Sequence, residues 1–132
     1  QQMIRDADLI CYPPGSFYSS VLVNLLPNGV ASAILANPNP KVYIPNLGHD
    51  PEQFGMTLLD QIKTIIHFVK LADPRLASLG ALDFLLIDEK VAYWELDEIE
   101  ALGVTIIRAD IADENANRYH DRRLSEALIS LL

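Results

Sequence analysis

A doubly wound, mostly parallel α/β sheet of the Rossmann-like kind is predicted by three features of the chain. Short apolar runs that stop at Pro or Gly alternate with stretches of helical periodicity. Those runs are nearly continuous in apolar residues, as in strands covered on both faces, rather than alternating with polar ones. Helices between successive strands imply parallel pairing, because a right-handed crossover uses the helix to return the chain to the same end of the sheet.

The elements follow in order. Asp8-Leu9-Ile10-Cys11-Tyr12 reads as a first strand, stopped by Pro13-Pro14-Gly15. Val21 to Leu26 reads as helix up to the break at Pro27-Asn28-Gly29, and Val30 to Ala36 adds one or two further turns before Asn37-Pro38-Asn39-Pro40. Lys41-Val42-Tyr43-Ile44 is the second strand, rich in β-branched and aromatic residues and closed by Pro45. From Thr57 to Lys70, Leu58, Leu59, Ile62, Ile65, Ile66 and Val69 recur at three- and four-residue spacing, which defines one buried helical stripe. Ala81 to Ile87 gives a third strand, Trp94 to Leu102 a helix ended by Gly103, and Val104 to Ile107 a fourth strand. A final amphipathic helix carries Leu124, Ala127, Leu128 and Leu131 on its apolar side.

A length of 132 residues, half of them hydrophobic and 21% charged, fits one folded domain spanning residues 1–132. Eighteen acidic residues against ten basic ones give a net charge of -8, with no basic stripe to displace counterions, so a nucleic-acid partner is disfavoured. The same charge opposes an anionic ligand, and any phosphate has to be held by local amides and dipoles. Cys11 is the single cysteine and sits in an apolar run, which predicts a buried, inert thiol and a cytoplasmic setting. The sequence has neither a signal pattern nor a run of about 18 apolar residues, so no membrane partner is expected. A homo-oligomer is left open.

In parallel sheets ligands sit beyond the carboxyl ends of the strands, which directs attention to the segments after Tyr12 and Ile44. In Pro13-Pro14-Gly15-Ser16-Phe17-Tyr18-Ser19-Ser20, Gly15 permits close approach of the backbone, and Ser16, Ser19 and Ser20 can donate to phosphate oxygens at a helix start. A plain turn with serine caps explains the same residues. After the second strand, Asn46 can bind a sugar hydroxyl or phosphate, and Asp50 or Glu52 a divalent ion such as Mg2+. Capping competes here too. Asp50, Pro51 and Gln53 fit a cap, and Thr57 with Asp60 fits a capping box before the long helix. His49-Asp50 and His120-Asp121 are weak acid-base signals, His67 falls on a polar helix face, and Glu95, Asp97, Glu98 and Glu100 read as a wet face.

Ala7-Asp8-Leu9-Ile10, Pro14-Gly15-Ser16-Phe17-Tyr18-Ser19-Ser20 and Asn24-Leu25-Leu26, followed by Lys41-Val42-Tyr43-Ile44, Asn46-Leu47, Glu52, Thr57 and Asp60-Gln61-Ile62, together resemble the CofD-like family. The resemblance is clearest over residues 5 to 70, and Tyr119-His120-Asp121 is compatible with it. That family includes 2-phospho-L-lactate transferases and YvcK-like gluconeogenesis factors, and the Gly-Ser-Phe-Tyr-Ser form is closer to the latter. It implies phosphate or nucleotide-sugar binding by Pro14, Gly15, Ser16, Tyr18, Ser19 and Asn46, with Asp50, Glu52 and Thr57 as further contacts. No catalytic residue and no metal ligand is assigned. Family members begin with a strand and a Gly-Gly loop that nothing before Asp8 matches, so the chain is expected to be the carboxyl-terminal portion of a larger protein. Three functions follow as expectations: a nucleotide-binding regulator, a transferase moving a phosphate-linked group, or a structural or interaction domain.

Overall fold

The computed structural model describes residues 7–12, 30–45, 47, 57–72, 80–114 and 118–132. Within them the elements are β1 (Ile10–Tyr12), α1 (Val30–Ala36), β2 (Lys41–Tyr43), α2 (Leu58–Ala72), β3 (Phe84–Asp88), α3 (Leu96–Ala101), β4 (Thr105–Ala109) and α4 (Asp121–Ile129). The four strands form one sheet in the order β1-β2-β3-β4, and every neighbouring pair is parallel. The predicted class is therefore the observed one. The expected helix over Val21 to Leu26 and the segment from Pro13 to Ser20 lie outside the described residues.

Pleating sorts the strand side chains onto two faces. Ile10, Tyr12, Tyr43, Leu85, Ile87 and Ile106 face one core, where they meet Ile34 and Leu35 of α1, the stripe of α2 and Ile99 of α3. Cys11, Val42, Phe84, Leu86, Ile107 and Ala109 face the other, which is closed by Ile111, Tyr119 and the apolar side of α4. Strand order running straight along the sheet explains this division. Right-handed crossovers taken repeatedly in one direction place every crossover helix on the same face. Helix α4, which follows β4, covers the opposite face.

Local chemistry sets the element ends. Thr57 and Asp60 make the expected capping box: the Asp60 amide donates to Thr57 Oγ1 at 3.1 Å, and the Thr57 amide donates to Asp60 Oδ2 at 3.2 Å. Thr57→Ala is expected to lower stability by about 1 kcal/mol, read by urea denaturation, with an unchanged midpoint overturning the cap. Gly103 adopts φ 91° and its amide donates to Glu100 O at 3.0 Å, the left-handed closure predicted for α3.

The start of α3 differs from expectation. Glu95 sits at φ 63°, so Trp94 lies outside the helix, which begins at Leu96. Strand ends move as well. β3 runs Phe84–Asp88 rather than from Ala81, because the Asp83 side chain accepts the Lys41 amide at 2.9 Å just before the ladder begins. β4 runs Thr105–Ala109, because pairing with β3 continues to Asp88 and Ala109.

Candidate functional site

The carboxyl ends of β2, β3 and β4 bring together polar groups that the sequence separates widely. At their centre is Asp88, the last residue of β3 and fully buried. Its Oδ1 accepts the Lys90 amide at 2.7 Å, and its Oδ2 accepts the amides of Ile111 and Ala112 at 2.8 and 2.7 Å. Burial alone would raise the Asp88 carboxyl, but these amides and the Lys90 ammonium outweigh it and hold the group below the usual carboxylate range. One carboxylate thus ties the segment after β3 to the segment after β4.

Around it stands a network that is partly open to water. Lys90 Nζ bridges Asp88, at 3.2 Å, and Asp110, while Arg123 of α4 reaches Asp110 Oδ1 at 3.1 Å. The Asp110 carboxyl is lowered by its Lys90 hydrogen bond first and by Arg123 as well. The segment after β4 then folds back on itself through a bridge between Ala112 and Tyr119, and the Tyr119 hydroxyl donates to Pro45 O. Pro45 immediately precedes Asn46, so this hydroxyl secures the entrance to the second predicted loop.

Three tyrosines share this end of the sheet. Tyr43 donates its hydroxyl to Gln61 Oε1 at 2.8 Å, Tyr119 to Pro45 O, and the buried Tyr93 hydroxyl has no hydrogen-bond partner among the described residues. Burial pushes Tyr93 up to about 12, with the Asp88 charge adding to it. Tyr119 is raised by burial and then by Tyr93, Asp88 and Tyr43; Tyr43 is raised by burial and then by Tyr93. All three are neutral hydroxyls at physiological pH, able to donate a hydrogen bond without carrying charge.

The opposite end of the sheet is built differently. A cavity of about 340 Å³ is lined there by Leu35, Pro38, Lys41, Gly80 and Asp83 among others. The Lys41 ammonium donates to the carbonyls of Asn37 and Asn39, and both asparagine amides donate to Ala7 O. These bonds tie the lead-in to β1 to the start of β2, which accounts for the buried lysine structurally.

Of the predicted site residues, Pro14, Gly15, Ser16, Tyr18, Ser19, Asn46, Asp50 and Glu52 lie outside the described residues, and Thr57 caps α2. His67 is exposed on α2 as expected, and Glu95, Asp97, Glu98 and Glu100 are exposed. His120 caps α4, with Nδ1 accepting the Arg123 amide at 3.3 Å. The Cys11 thiol is pushed up to about 11 by burial, in keeping with an inert role. Sequence reasoning passed over Asp88 and Tyr93. An acid ending the otherwise apolar run Phe84-Leu85-Leu86-Ile87 is the signal that marks Asp88. Among the described residues, no group of three or more His, Cys, Asp and Glu side chains is gathered to hold a metal, and no helix is long and apolar enough to cross a membrane.

Comparison with known proteins agrees with this architecture. The gluconeogenesis factor of Listeria monocytogenes is 34% identical over 142 residues, which take in 99% of this chain and 43% of that protein. The gluconeogenesis factor of Halalkalibacterium halodurans is 42% identical over 147 residues, covering 97% of this chain and 43% of its own length. The chain therefore spans less than half the length of these relatives. Among solved structures, a UPF0052 family protein from Bacillus halodurans superposes with a TM-score of 0.76 at 27% identity, over 97% of this chain and 45% of that one. The family model described as 2-phospho-L-lactate transferase CofD matches residues 1–123, which establishes that the chain belongs to the CofD family.

Proposed function

We propose that the protein binds a phosphate-bearing nucleotide or nucleotide sugar beyond the carboxyl ends of its strands, as a regulatory binding module rather than a catalyst. The observation that carries this reading is the Tyr93 hydroxyl. A buried hydroxyl without a partner costs about 1–3 kcal/mol, a cost that a ligand oxygen or nitrogen would remove on binding. It lies close enough to Asp88 to feel its charge, at the end of the sheet where parallel α/β proteins hold ligands. Gly15, Ser16 and Asn46 would then hold the phosphates through the turn after β1 and the turn after β2.

The position of the charges also supports binding without turnover. Asp88 is fully buried and already accepts three amides and the Lys90 ammonium, which commits it to tying the strand ends together rather than to taking a substrate proton. The family's transferase description keeps a second reading in view, in which a divalent ion and the same phosphate contacts serve group transfer.

One set of variants tests both readings. Ser16→Ala combined with Asn46→Ala is expected to weaken nucleotide affinity at least tenfold by calorimetry. Tyr93→Phe should weaken it about 3- to 10-fold, the worth of one hydrogen bond, while leaving thermal stability unchanged or slightly raised. Unchanged affinity in both variants would overturn the binding reading. Release of a nucleotide product on incubation with nucleotide-linked donors and magnesium would favour the transferase.

A further inference from the structure

We propose that the cavity at the amino ends of the strands binds a small zwitterion, an α-amino acid with an apolar side chain, whose carboxylate meets the Lys41 ammonium and whose ammonium meets the Asp83 carboxylate. Lys41 is the first residue of β2 and only 3% exposed. Its ammonium has three N–H donors, and two of them go to the carbonyls of Asn37 and Asn39. Those bonds fix the side chain in place without balancing its charge. Asp83 is near enough for its charge to act on the ammonium, yet among the described residues Lys41 has no carboxylate as an ion-pair partner. A cation removed from water without a counter-charge is unfavourable, and burial accordingly lowers the Lys41 ammonium from its ordinary value.

One oxygen of Asp83 is likewise uncommitted. Its Oδ2 accepts the Lys41 amide at 2.9 Å, and among the described residues Oδ1 accepts no hydrogen bond. Gly80 keeps that oxygen open, since a Cβ at this position would approach Oδ1 to 3.3 Å. Lys41, Gly80 and Asp83 all line the same cavity of about 340 Å³, a volume within the range of small-molecule sites. The cavity thus has one unspent cationic donor and one unspent anionic acceptor on its wall. A simple anion would suit Lys41 and be repelled by Asp83, and a simple cation would meet the reverse, whereas a molecule bearing both charges answers both. Leu35, Ala36 and Pro38 give the rest of the wall an apolar surface for a short aliphatic side chain. This site lies at the other end of the sheet from the proposed nucleotide contacts, so the two readings stand or fall separately.

Titration of the full chain with L-alanine, L-valine and L-leucine, followed by amide NMR shifts, should give saturable binding at about millimolar concentration or tighter. The shifts should centre on the amides of Lys41, Gly80 and Asp83. Acetate and methylamine, each carrying one charge, should bind at least about tenfold more weakly. Asp83→Asn retains an acceptor for the Lys41 amide, and it should weaken L-leucine binding about tenfold while leaving acetate binding equal or stronger. Lys41→Met keeps the length of the side chain and should abolish binding of L-leucine and acetate alike; if that variant fails to fold, Asp83→Asn decides the matter alone. Absence of saturable binding by all three amino acids, acetate binding as tightly as L-alanine, or Asp83→Asn with wild-type affinity for L-leucine would overturn the proposal. So would shifts confined to the amides of Lys90, Ile111 and Ala112, at the far end of the sheet.

Discussion

Asp88→Ala should destabilise the fold by about 3–5 kcal/mol, read as a lower urea midpoint. The substitution leaves the amides of Lys90, Ile111 and Ala112 facing a buried void, and unsatisfied buried donors carry most of the cost. The Lys90 ammonium contributes less, because it is partly exposed and retains Asp110. The carboxyl is held below its usual range, so its stabilisation is fully present above the unfolded value near pH 3.9 and is lost as pH falls through the lower folded value. Acid titration of wild type and Asp88→Asn separates charge from shape: the asparagine variant should start less stable and lose less on descending below about pH 4. If the two proteins follow parallel acid curves, the carboxylate is not the group that ties the strand ends. Loss of Asp88 should also loosen the hairpin that carries Tyr119, so nucleotide affinity should fall under conditions where the variant remains folded.

Ile62→Ala is expected to cost about 2–5 kcal/mol, the range for deleting a large aliphatic side chain from a packed core. Ile62 is fully buried in the middle of the α2 stripe, packed into the same cluster as Tyr43 and Leu85 of the central strands. Ile129 at the end of α4 is a control of the same chemistry, since 64% of its surface is in water. Ile129→Ala should stay within about 0.5 kcal/mol of wild type. Equal effects at the two positions would show that the described core does not carry the stability of the chain.

Periodicity made α2 legible, because six apolar residues at three- and four-residue spacing can share one face only in a helix. The apolar side of α4 was legible for the same reason, and Leu124, Ala127, Leu128 and Leu131 all pack on the sheet. Helix ends were readable where a single residue carries the signal, as at Thr57 and Gly103. Strand ends were not, since each ladder stops where its neighbour does: β4 extends to Ala109 because β3 extends to Asp88. The start of α3 was misread for a similar reason, because nothing in the composition of Trp94-Glu95-Leu96 announces a left-handed turn at a glutamate.

The sequence by itself determined the parallel α/β class, the order of its elements and the family to which it belongs, because hydrophobic spacing and short turn motifs are local properties of the chain. Only the tertiary structure brought Asp88, Tyr93 and Tyr119 to one end of the sheet and placed α4 on the face opposite α1, α2 and α3. Those facts depend on strand order and crossover hand, which join residues separated by up to 74 positions, as Tyr119 and Pro45 are, and no local pattern encodes such a meeting.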